Sequence, residues 1–173
     1  MPIEHVSNPE LLAPVKVRYI VLSVVVALLF ALLPWRDLRG VPDLVALVLV
    51  FWSVHQPRQV GMGTAFIAGL FVDAANGALF GQHALAYAFL AFAGHALHRR
   101  MLWFGLWPQA LHVLALLVSA QALMVAIRLS AGSTFPGWSY FLGSLIAAAL
   151  WPLVTLILLA PQRLAAPKDE ARS

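Results

Sequence analysis

The sequence predicts an all-α integral membrane protein: a compact bundle of about six transmembrane helices forming one polytopic domain over residues 1–173. Three observations predict it. Of the 173 residues 62% are hydrophobic and only 10% charged, with a mean hydropathy of +0.86. A soluble domain carries roughly 25% charged residues, because its core must be covered by a solvated skin. Apolar runs of near-membrane length recur along the chain, separated by short connections holding Arg, Pro and Gly. The basic residues alternate between connections in the manner of topology signals. A single water-soluble domain and an intrinsically disordered chain are both excluded.

Crossing a hydrocarbon core of about 30 Å takes around 20 helical residues. The first run, about 17–34, holds no charge between Arg18 and Arg36. It lacks a small-x-small cleavage pattern and is expected to remain as a helix rather than leave as a signal peptide. The second and third runs, 42–55 and 59–75, are short and are joined by the turn signal Gln56-Pro57-Arg58. Two tilted crossings are expected, with a re-entrant hairpin as the alternative. The fourth run, 82–97, closes on His98-Arg99-Arg100; the fifth, 105–127, closes on Arg128; the sixth, 138–160, ends at Pro161. Short tails at about 1–15 and 162–173 flank the bundle.

The net charge of +4 is spread in ones and twos, leaving no basic stripe to follow a nucleic-acid backbone. With the N-terminus in the cytoplasm, that side receives Lys16, Arg18, Arg58, Arg99, Arg100, Arg163, Lys168 and Arg172, eight of the eleven basic residues. The other side receives Arg36, Arg39 and Arg128. This bias favours cytoplasmic termini and an even number of crossings. Trp35 and Trp138 with Tyr140 are expected near the outer interface, and Trp103 and Trp107 near the inner one. The absence of cysteine removes disulfides, thiolate catalysis and Cys-based metal sites.

Gly61, Ala65, Gly69, Asp73 and Gly77 recur every four residues and form one stripe on a helix. Small residues let membrane helices approach closely, so the stripe reads either as ordinary helix packing or as a crowded interface or cleft ending in Asp73. Asp73 is the carboxylate nearest membrane depth, where ionisation costs at least about 2.5 kcal/mol at the centre. It is expected either to face a partner (Arg36, Arg39 or His83) or to cap a loop through Asn76 and Gly77. Pro42 and Asp43 suit the opening of a helix, where Pro fits the first turn and an acid meets the positive dipole end.

Chemistry is sparse elsewhere. His95 and His98 share a helix face but lack the further ligands that zinc requires. His112 and Gln121 are expected to hydrogen-bond between helices, and Ser144 to act as a small packing residue rather than a nucleophile. Pro152 predicts a kink in the sixth helix. No metal or cofactor is expected, and the residues favour a protein that is not an enzyme.

One further pattern spans the chain. It runs through Pro42-Asp43-Leu44, Phe51-Trp52, Pro57-Arg58, Val60-Gly61, Ala65-Phe66, Gly69-Leu70, Asp73, Gly77, Leu79-Phe80-Gly81 and Ala84-Leu85-Ala86-Tyr87, with Leu150-Trp151-Pro152 in the last helix. In these residues the sequence resembles the rod shape-determining protein MreD family, departing from it in Trp52, where tyrosine is expected. The resemblance implies a non-catalytic subunit of the bacterial elongation complex in the cytoplasmic (inner) membrane. It implies binding to MreC, through its membrane helix and periplasmic part. Through MreC it implies indirect coupling to MreB filaments and to a class B transpeptidase with its polymerase. Gly61, Ala65, Gly69, Asp73, Gly77 and Gly81 are the candidate packing or partner-contact positions. The family is also similar to the substrate-binding membrane subunits of energy-coupling-factor vitamin transporters. That likeness implies an alternative, a small-ligand subunit holding its ligand near Asp73 and His83. Few polar groups are expected to converge there, which favours the shape role.

Overall fold

The computed structural model describes residues 15–33 and 40–164. The tails at 1–14 and 165–173, with Lys168 and Arg172, and the connection holding Trp35, Arg36 and Arg39 lie outside the described residues. The described residues are all-helical: α1 (Val17–Ala31), α2 (Leu44–His55), α3 (Met62–Asn76), α4 (Gln82–Leu102), α5 (Leu106–Ser130) and α6 (Leu142–Leu164), with one 3-10 turn (Trp138–Phe141) leading into α6. Among the described residues two stretches are long and apolar enough to cross a membrane, Leu106–Ser130 and Trp138–Gln162, each of 25 residues. Helices α1, α2 and α3 are apolar but shorter.

Helix α2 is the axis of the bundle. Its sequence LVALVLVFWSVH is apolar on every side, the pattern of a helix enclosed by others. The ten residues from Val45 to Val54 are all buried. Helix α2 touches α1, α4, α5 and α6, and α3 packs chiefly on α4. Because lipid tails are as apolar as leucine, close packing and interhelical hydrogen bonds must supply the cohesion. The Trp52 indole donates to Ser23 Oγ at 2.8 Å, joining α2 to α1. Trp151 on α6 donates to Gln109 Oε1 on α5 at 3.2 Å, and Ser144 on α6 donates to Gln121 Oε1 on α5 at 2.7 Å. Such bonds contribute about 0.6 kcal/mol each on average in membrane bundles.

Several helix ends differ from expectation. Helix α4 continues through Arg99 and Arg100 to Leu102. Cationic side chains stabilise a C-terminal turn through the helix dipole, so the pair lies within the helix it was expected to close. Likewise α6 runs through Pro161 to Leu164, because a single missing N–H is tolerated where helical backbone continues around it. Pro152 also lies inside an unbroken α6. His112 bonds back to the Pro108 carbonyl at 2.8 Å and stacks on Phe104, and among the described residues it makes no interhelical hydrogen bond of the kind expected. Trp103, Trp107 and Trp138 are among the most exposed side chains, as interfacial aromatics are, whereas Tyr140 is half-buried and turns inward.

Candidate functional site

Asp73 ends α3 and begins α4. Its backbone carbonyl accepts from Ala78 N at 3.0 Å and from the amide of Gly77, which takes the left-handed conformation at φ +59° and closes the helix. This is a common glycine-terminated helix end. Its carboxylate reaches forward. Oδ2 accepts from Gly81 N at 2.9 Å and Ala84 N at 3.3 Å; Oδ1 accepts from His83 N at 2.9 Å and from His83 Nδ1 at 2.7 Å. The start of α4 therefore has its free amides satisfied by a residue of the preceding helix, since its own N-cap, Gly81 at φ +97°, has no side chain. A carboxylate there also meets the positive end of the α4 dipole.

Asp73 is fully buried. An ionised carboxylate has about four acceptor sites, and these four donors occupy them. Of the expected partners, His83 is the one met; Arg36 and Arg39 lie outside the described residues. The expected capping role is present, directed at α4 rather than at a loop through Asn76 alone.

The approach of α3 to α4 makes this possible. Ala65 and Gly69 are buried, and a Cβ on Gly69 would meet Ala84 Cα at 2.4 Å. Gly61 and Gly77 are exposed at the ends of α3, and Gly81 begins α4; a Cβ on any of the three meets nothing within 4 Å. Within the chain, the tight part of the stripe is thus Ala65, Gly69 and Asp73.

Asp43 is the N-cap of α2, one position before the helix rather than in its first turn, and Pro42 precedes it. Its Oδ1 accepts from Ala46 N at 2.9 Å. The Tyr87 hydroxyl on α4 lies 2.9 Å from Oδ1 and 2.8 Å from Oδ2, donating its proton between them. The rings of His83 and Tyr87, one turn apart on α4, meet edge to face with centroids 5.9 Å apart. Two capping carboxylates are thereby joined through one face of α4. Tyr87 was visible in the sequence only as part of the family pattern. Its spacing of four from His83 on a helix that follows a buried Asp is the signal that could have assigned it.

These groups border a cavity of about 900 Å³ at the end of the bundle where α1, α3 and α5 finish and α2, α4 and α6 begin. Asp43, Asn76, His83, Tyr87, Gln121 and Tyr140 are among the polar residues that line it. Asp73 itself does not line the cavity; the polar residues that do are far apart in sequence and are gathered by the antiparallel order of the helices. Gln121 is fixed by Ser144 and by its own bond to the Tyr140 carbonyl at 3.2 Å. His95 and His98 lie at the opposite end of α4, and among the described residues no three His, Cys, Asp or Glu side chains gather as a metal site.

A family model described as rod shape-determining protein MreD matches residues 15–160. A curated relative from Haemophilus influenzae, named rod shape-determining protein MreD, is 28% identical over 141 residues, covering 78% of this chain and 84% of the relative. No solved structure matches.

Proposed function

The chain belongs to the rod shape-determining protein MreD family, and on that premise we propose that it is a non-catalytic subunit of the bacterial elongation complex that holds MreC in place. In this reading all six helices cross the inner membrane, α2 and α3 as short tilted crossings, with both termini in the cytoplasm. The observation that carries the non-catalytic role is the use made of the two carboxylates among the described residues. Asp73 is saturated by four donors and Asp43 is tied to Ala46 and Tyr87, so both act as helix caps.

Because Ala65 and Gly69 are covered by α4, the MreC helix is assigned to the outward face of α3. There Gly63, Ile67 and Phe71 are exposed at steps of four, and the space over Gly63 is open. Small residues on such a face let a second backbone approach. MreB and the transpeptidase with its polymerase would then be reached through MreC. The test is purification of tagged protein from membranes in mild detergent, with MreC expected to co-purify and depletion expected to give rounded cells. Cells that stay rod-shaped after verified depletion, with no MreC recovered, overturn the proposal.

The cavity supports a second reading, a ligand-holding membrane subunit like those of vitamin transporters, because several polar side chains gathered around one recess are what a small-molecule site uses to orient its ligand. Equilibrium dialysis against a vitamin panel is expected to show saturable binding in that case, and silence across the panel removes it.

A further inference from the structure

The 900 Å³ cavity does not stand alone. A second recess of about 210 Å³ lies between α1 and α3, walled by Val25, Leu28, Leu29 and Phe71. The two share Ala31, Leu32, Val72 and Ala75 as lining. A polar chamber thus adjoins an apolar slot, and two of the shared residues are alanines that take up little room. Such a pairing fits a molecule with a polar head and a hydrocarbon tail.

Charge selects the head. Asp43 lines the chamber, and among the described residues no Lys, Arg or His forms an ion pair with it; His83 is turned to Asp73, which does not line the chamber. Asp43 Oδ2 has a single donor, the shared Tyr87 hydroxyl, so acceptor capacity remains. In a neutral His83 ring, Nδ1–H is committed to Asp73 and Nε2 is left as another acceptor. A carboxylate near membrane depth that has no cation beside it among the described residues is costly to ionise, and a neighbouring cation relieves that cost. A primary ammonium brings both a positive charge and three N–H donors. A phosphate-only or glycerol head would set negative charge near Asp43. A quaternary ammonium would supply charge without donors.

We propose that this chamber and slot form one binding site for an aminophospholipid, its primary ammonium against Asp43 and one acyl chain lying between α1 and α3. Phe71 belongs both to this slot and to the face of α3 assigned to MreC, but lipid binding is measured on the chain alone, so the site stands or falls separately from that assignment.

The experiment uses the full chain, delipidated in detergent and titrated with phosphatidylethanolamine, phosphatidylcholine or phosphatidylglycerol of identical chains, read by native mass spectrometry and by thermal shift. Phosphatidylethanolamine is expected to be retained about tenfold more tightly than either competitor, a difference of ~1.4 kcal/mol. Asp43→Asn keeps a good N-cap while removing the charge, and is expected to abolish that preference. Ala75→Phe, which fills the junction of the two recesses, is expected to weaken binding of all three lipids. Soluble phosphoethanolamine tests whether the head alone suffices; if it binds as tightly as the lipid, the slot has no role and the proposal fails. Equal retention of the three lipids by the unaltered chain, a measurement that needs no variant to fold, also overturns it.

Discussion

Gly69 of α3 and Ala84 of α4 meet backbone to backbone: a Cβ on Gly69 would stand 2.4 Å from Ala84 Cα and 2.5 Å from Ala84 N. One helical turn later, Asp73 extends its carboxylate to the amides of Gly81, His83 and Ala84. The two contacts depend on one another. Without a hydrogen at position 69 the helices separate, and Asp73 no longer reaches the start of α4.

Substitution at position 69 should therefore be felt even as Gly69→Ala, because the obstructing atoms are backbone and cannot turn aside. A loss of about 1–3 kcal/mol is expected, the usual cost of overpacking, seen as a lower thermal midpoint in detergent. Gly69→Leu should wedge the helices apart and lose MreC co-purification with it. Gly94→Ala, whose Cβ would lie 3.0 Å from the Ser53 Cβ, should cost less, and Gly61→Ala, with open space around it, should cost little. A wild-type midpoint for Gly69→Leu would show that the backbone contact is not present.

Asp73→Asn preserves shape and removes charge. The amide keeps one accepting oxygen, so it cannot serve donors on both sides of the carboxylate, and its NH2 faces amides that themselves donate. Hydrogen bonds to charged groups contribute about 1.5–3 kcal/mol, and a loss in that range is expected. His83→Ala removes one of the four donors and should cost less. Urea or thermal unfolding in detergent of the two variants side by side checks the order; a silent Asp73→Asn contradicts the cap.

Legibility from the sequence followed the range of the interactions. Helix content and the small-residue spacing are set by composition and local period, and the residues alone displayed them. Even Asp73 capping a neighbouring turn was within reach, because its partners lie only eight to eleven positions away. The Asp43–Tyr87 bond and the chamber were not. They join positions 44 apart, and their register depends on how far each helix slides along its neighbour, which no local pattern specifies. Pro161 and the Arg99-Arg100 pair misled for the opposite reason: each is a strong local stop signal, but continuing helical backbone overrode it.

The Trp151–Gln109 bond offers a test of polar cohesion between α5 and α6. Both side chains are buried, and Gln109 Nε2 is already committed to the Phe104 carbonyl at 2.9 Å. Gln109→Leu should strand the indole N–H and cost about 1–3 kcal/mol, the penalty of an unsatisfied buried donor. Adding Trp151→Phe removes the stranded group, so the double variant should lose less than the sum of the singles. Strict additivity in a double-mutant cycle would mean that the bond contributes nothing.

The cysteine-free sequence makes the topology directly measurable, because each introduced thiol is the only one in the chain. Ser133 lies exposed beyond α5, Phe104 between α4 and α5, and Met62 at the start of α3. With both termini cytoplasmic, Ser133→Cys should react with a membrane-impermeant maleimide on intact spheroplasts, and Phe104→Cys only after permeabilisation. Met62→Cys decides how the short helices lie. At 1.5 Å per residue the 12 residues of α2 extend about 18 Å, well short of a 30 Å core, so the turn into α3 reaches the cytoplasmic surface only if the bilayer is locally thinned around the short helices. Labelling of Met62→Cys after permeabilisation marks two crossings. Protection under both conditions, with the denatured protein still reactive, marks a re-entrant hairpin enclosed by α1, α4 and α6, and would withdraw two of the six proposed crossings.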